Sequence, residues 1–113
     1  NRRETRIDAA TGETILEIAD DFGEIEDAGH GLRTGSIARE EWRIHPDDPL
    51  SAKGRAHWTQ TLNRAGWSVR TETFAAMTST SNCFELTARV EAYDADLLVF
   101  ERDYFEAIPR NCL

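Results

Sequence analysis

From Ser36 onward apolar and polar residues alternate with a period of two, the spacing of a β-strand with one covered face and one wet face. In Ser51–Leu62 the even positions carry Ala52, Gly54, Ala56, Trp58 and Leu62, against Ser51, Lys53, Arg55, His57, Thr59 and Thr61. Asn63-Arg64-Ala65-Gly66 supplies a turn, with Gly66 suited to positive φ. "WSVRTETFAAM" then sets Trp67, Val69, Thr71, Thr73, Ala75 and Met77 on one side, and Ser79-Thr80-Ser81-Asn82 turns again. "CFELTARVEAY" groups Phe84, Leu86, Ala88, Val90 and Ala92 against Glu85, Thr87, Arg89 and Glu91. Asp94-Ala95-Asp96 leads into "LLVFERDYF". Upstream, "TRIDA" and "ETILEIA" flank Ala10-Thr11-Gly12 as a short hairpin, and "SIAREEWRI" keeps Ala38, Glu40, Trp42 and Ile44 in phase. The pattern predicts about seven strands joined by hairpin-length turns, with no helix: an all-β, antiparallel chain. Trp58, Val69, Leu86 and Val90 are expected to share a core, with His57 and Glu85 on the wet faces.

At 113 residues the chain is a single β domain, residues 1–113, with a modest core. Its longest apolar run, "LLVF", is too short for a membrane span, and its beginning is not signal-like. It opens on Asn1 and its one methionine is Met77, so it is expected to be cut from a longer precursor. Net charge is −8, and Asp8, Glu13, Glu17, Asp20, Asp21, Glu24, Glu26 and Asp27 account for all of it, because the other 13 acids match 13 bases. That sign excludes a nucleic-acid surface. "DDFGEIED" lacks the regular oxygen spacing of a calcium loop, so the acidic stretch is read as a solvated face. No nucleic acid, no membrane and a cytoplasmic setting are the expectations.

Several short stretches raise chemistry and each has a plainer reading. In "IHPDDPLSAKG", His45, Asp47 and Asp48 could hold a metal or supply a base. Pro46 and Pro49 withhold amide donors and hold their predecessors extended, so a corner between two strands accounts for the run. "GHGLRTG" around His30 lacks the spacing and the following helix of a phosphate loop, and reads as a flexible loop. Gly66-Trp67-Ser68-Val69-Arg70 lacks the last glycine of a nucleophile elbow and lies in a strand. Trp42, Trp58 and Trp67 could stack a sugar, but their phase assigns them to the core. Cys83 and Cys112 have no zinc spacing and read as free thiols unless the fold brings them together. No catalytic, cofactor-binding or metal residue is assigned.

Three pieces, "IHPDDPLSAKGRAHWTQTLNRAGWSVRTET", "ELTARVEAYDADLLVFERDY" and the terminal "IPRN", resemble the carboxy-terminal end of the Xaa-Pro dipeptidyl-peptidase and cocaine-esterase-like serine hydrolases, peptidases and acyl esterases of bacterial type. "HPDDPLSA" and "WSVRTE" are the most specific parts. Asn111 stands where the family carries an acid, and Cys83 and Glu85 depart from its histidine-containing strand. The resemblance implies an antiparallel β-sandwich of jelly-roll type, galactose-binding-like, present here as a partial sandwich or a small barrel. It also implies a fragment of a non-catalytic C-terminal domain, with the Ser, Asp and His of the triad in an α/β-hydrolase domain of the parent chain. That catalytic domain is the expected partner, with a homodimer as a further possibility. The competing reading is a free-standing small β-barrel that binds a small ligand, and a more distant one is a metal-dependent enzyme using His45, Asp47 and Asp48.

Overall fold

The structure, a computed structural model, describes residues 1–109. It contains seven strands: β1 (Arg2–Ile7), β2 (Thr14–Glu26), β3 (Arg33–His45), β4 (Asp48–Arg64), β5 (Trp67–Ser79), β6 (Cys83–Asp94) and β7 (Leu97–Pro109). Each pairs with the next, so one antiparallel sheet runs in the order β1 to β7. The all-β antiparallel expectation holds, in its partial-barrel form. Jelly-roll crossovers place sequence-distant strands side by side, whereas every neighbour among the described strands is consecutive in the chain.

Turn chemistry fixes the hairpins, and two of them use the same device. In Asp8-Ala9-Ala10-Thr11-Gly12 the Gly12 amide donates to the Asp8 carbonyl at 2.7 Å, and the Asp8 carboxylate accepts from the Ala10 amide at 2.8 Å. Asp27-Ala28-Gly29-His30-Gly31 repeats this, Gly31 to Asp27 at 2.7 Å and Gly29 to the Asp27 carboxylate at 2.8 Å. Gly12 and Gly31 take the positive φ, 76° and 70°, that closes each loop. The loop around His30 is therefore an ordered turn, and His30 pairs with Asp27 at 3.1 Å. At the β6–β7 turn the same left-handed region is occupied by Ala95, φ 54°, a residue that adopts it at a cost.

The molecule measures 53 × 29 × 26 Å. Its length is that of the strands, since the 17 residues of β4 span roughly 56 Å. A flat sheet would be thin in its third dimension, so this one is rolled into a trough. A cavity of about 930 Å³, lined from Arg2 on β1 to Phe105 on β7, occupies the concave side.

Register decides which residues face it. Trp58 pairs with Thr73, which pairs with Val90; Leu62 pairs with Val69, and Met77 with Leu86. Trp58, Val69, Leu86 and Val90 thus share one face as expected, but it is the convex one, and all four are half-buried rather than core. Among the described residues, Ile15 and Ala38 are the only buried apolar side chains. The trough holds the other phase, so His57 and Glu85 are half-buried rather than wet. Neither face is sealed: Arg39, Arg55, Phe74, Thr87 and Asp103 are exposed in the trough, while Ala38 and Gly54 on the convex rows are buried. The acidic stretch over residues 21–27 is exposed, as its sequence implies, whereas Glu13 and Glu17 upstream of it are paired. Glu13 is 9% exposed and pairs with Arg43 at 3.2 Å, and Glu17 pairs with Arg2 and Arg6.

Candidate functional site

One row of directly paired residues crosses all seven strands along the trough floor: Arg2, Ala19, Arg39, His57, Phe74, Arg89 and Asp103. All seven line the cavity. Antiparallel pairing brings such opposed side chains within contact range on one face, so residues spread over 102 positions of sequence become neighbours. The next row brings Glu17, Glu41, Arg55, Ala76, Thr87 and Phe105 to the same cavity.

Charge is mostly matched within the trough. Arg89 donates from Nε to Glu91 at 2.7 Å, from Nη2 to Glu101 at 2.6 Å and from Nη1 to both oxygens of Asp103 at 3.1 and 3.0 Å. Those bonds, to Glu91, Asp103 and Glu101 in that order, raise the Arg89 pKa above its ordinary range. Glu91 is held below the usual carboxylate range by its bond from Arg89 and then by the Tyr93 hydroxyl at 2.9 Å. Glu41 is lowered too, chiefly by the Arg43 Nε bond at 2.6 Å, with Arg55 at 3.1 Å adding to it.

The centre of the row is different. His57 stacks on Phe74 with ring centroids 4.3 Å apart and 17° between planes. Its Nδ1 lies 3.5 Å from Arg39 Nη1, a donor that can only give, so the imidazole accepts there and carries its proton on Nε2. That Nε2 is buried, lies 3.4 Å from Glu72 Oε1 and makes no hydrogen bond of good geometry. Glu72 Oε1 in turn accepts from the Thr59 hydroxyl. Sequence reasoning placed His57 on a wet strand face and gave Arg39 no role.

Elsewhere the side chains that raised chemistry are occupied by structure. His45 Nδ1 accepts the Asp47 amide at 3.1 Å, and Asp48 Oδ1 accepts the Leu50 amide at 3.0 Å. The Ser51 hydroxyl bridges the corner, accepting from the His45 amide at 2.7 Å and donating to the Asp48 carbonyl at 2.6 Å. Those groups close the tight β3–β4 hairpin, in which His45 pairs with Asp48. Among the described residues no group of His, Cys, Asp and Glu is arranged to hold a metal ion. The Ser68 hydroxyl donates to Asn63 at 2.7 Å at the foot of the β4–β5 hairpin. Cys83 is a half-buried free thiol, and Cys112 lies outside the described residues.

The convex face carries the apolar surface. Trp42, Leu62, Trp67, Phe100 and Ile108 are exposed there. Trp58 stacks on Phe22 at 5.9 Å beside a groove of about 610 Å³ that Leu62, Val69 and Ile25 also line. The three tryptophans share this face without stacking on one another, so no sugar platform forms among them. Among the described residues no helix is long and apolar enough to cross a membrane. The convex rows also carry Asp20, Glu40, Arg102 and Glu106, charges that disfavour a lipid-facing sheet. No protein-family model, no curated protein and no solved structure matches the chain.

Proposed function

We propose that the chain is the non-catalytic C-terminal β domain of an α/β-hydrolase-type serine hydrolase of the Xaa-Pro dipeptidyl-peptidase or acyl-esterase kind. Its convex face packs on the rest of that enzyme, and its trough walls part of the substrate cleft. The observation that carries this reading is the uncovered convex face. Among the described residues only Ile15 and Ala38 are buried apolar side chains, and Trp42, Leu62, Trp67 and Phe100 stand exposed on one face; a contiguous apolar patch of this kind marks an interaction surface. The resemblance supplies the occupant. "HPDDPLSA" forms the β3–β4 corner and the start of β4, and "WSVRTE" opens β5, so the specific pieces are those that build the centre of the sheet. The described residues offer no nucleophile paired with a base, which fits a supporting role, and the free Cys83 fits a reducing cytoplasm.

Reading the gene upstream of the Asn1 codon tests this. An open frame encoding a G-x-S-x-G elbow supports the reading, and a start codon directly before Asn1 overturns it. The purified chain alone should turn over neither aryl esters nor Xaa-Pro amides. A second reading, a free-standing small-ligand binder, is favoured by the trough cavity, and that same start codon is the result it requires.

A further inference from the structure

Among the described residues, Arg39 is the one trough arginine without a carboxylate partner. Arg2 lies 3.7 Å from Glu17, Arg55 lies 3.1 Å from Glu41, and Arg89 is bonded to three carboxylates. No described carboxylate lies within ion-pair distance of Arg39, whose one polar side-chain contact is His57 Nδ1 at 3.5 Å. A guanidinium has five donors in a planar fork that matches a carboxylate bidentately. At Arg39 most of that fork is free.

What surrounds the fork defines a ligand. On one side the paired residue is Ala19, whose methyl leaves space where a longer side chain would fill the trough. On the other, His57 separates Arg39 from Phe74, whose ring stacks on the imidazole and is still 37% exposed. Phe74 lies two strand spacings from Arg39, about 10 Å, and Ala76 and Phe105 extend its apolar wall. The cavity volume, about 930 Å³, lies in the range of small-molecule sites. Arg39 offers one positive charge without a carboxylate partner, and the carboxylates of Glu72, Glu91, Glu101 and Asp103 share the trough beyond it, so a monoanion is matched and a dianion repelled.

We propose that the trough binds a small monocarboxylate with an apolar body, its carboxylate on Arg39 and its body against Phe74. His57 Nδ1 accepts from Arg39 at 3.5 Å on the side of the fork that faces Phe74. The inference stands whether the chain belongs to a hydrolase or exists alone.

The test is an amide-resolved NMR titration of the 113-residue chain with 4-phenylbutyrate, its neutral amide and phenyl phosphate. The expected result is saturable binding of the carboxylate, with shifts confined to β3, β4 and β5 and at least tenfold weaker binding of the other two compounds. Arg39→Gln should weaken carboxylate binding at least tenfold, Arg39→Lys less, and Arg102→Gln on the convex face not at all. Absence of saturation at millimolar carboxylate, equal binding of the amide, or unchanged affinity in Arg39→Gln overturns the proposal. Should Arg39→Gln fail to fold, Arg39→Lys and the amide comparison decide it alone.

Discussion

A methyl group added at Gly54 tests the sheet at its tightest contact. Gly54 pairs with Trp42 across β3 and β4, and the indole lies over the bare glycine backbone. A Cβ at position 54 would sit 2.6 Å from Trp42 Cζ3 and 2.7 Å from Cε3, distances that no carbon pair tolerates. The strand is hydrogen-bonded on both sides, so the ring must lift. Trp42 is 44% exposed, so a little over half of its surface is covered. That is roughly 100 Å² of the area a tryptophan can bury, worth about 2.5 kcal/mol at most if all of it is lost. Alanine restricts the unfolded chain more than glycine and returns about 0.4–1 kcal/mol. Gly54→Ala should therefore destabilise the protein by about 1.5–2 kcal/mol. Urea denaturation followed by circular dichroism measures it, and a Trp42→Ala background supplies the control. With the indole gone the clash is gone, and Gly54→Ala should become neutral or stabilising there. Equal effects in the two backgrounds, or a stabilising effect in the parent sequence, would refute the contact.

Other expected outcomes follow from the turns and the charge network. Ala95 holds φ 54° at the β6–β7 turn, so Ala95→Gly should raise stability by up to about 1 kcal/mol in the same assay, and a loss would show the turn is not left-handed. Glu41 and Glu91 are held below the usual carboxylate range, so between that range and their lowered values the unfolded chain binds more protons than the folded one. Their stabilisation is present above the ordinary carboxylate pKa and fades as pH falls through the folded values. Glu41→Gln and Glu91→Gln should flatten the acid limb of the stability–pH curve; an unchanged limb would show that these carboxylates do not carry it. Asp48→Ala removes the acceptor for the Leu50 amide and should cost about 1 kcal/mol at the β3–β4 corner, with no metal-dependent component in melts with and without chelator.

Strands were legible because alternation and turn residues mark them directly: "WSVRTETFAAM" became β5, and the corner at His45–Asp48 is the hairpin its prolines suggested. The repeated Asp-Ala-x-x-Gly loops at Asp8 and Asp27 were present in the sequence as a signal, but the second was hidden in a glycine-rich run that reads as flexible. Alternation separates two faces without saying which one curls inward. Trp58 and Val90 therefore share a face as expected yet lie outside the roll, and His57 lies within it. The row from Arg2 to Asp103 was beyond local reading for another reason. Its register depends on six hairpins at once, and a one-residue slip in any of them moves the following residues to the opposite face.

The central claim is that the convex, apolar face is an interface and the charged trough stays open. Hydroxyl-radical footprinting of the chain, alone and joined to the hydrolase domain proposed to precede it, measures both faces at once. Trp42, Trp67 and Phe100 should be labelled strongly in the isolated chain and protected in the joined protein, while Phe74 and Phe105 stay labelled in both. Protection of Phe74 and Phe105 with Trp42, Trp67 and Phe100 still open would contradict the account.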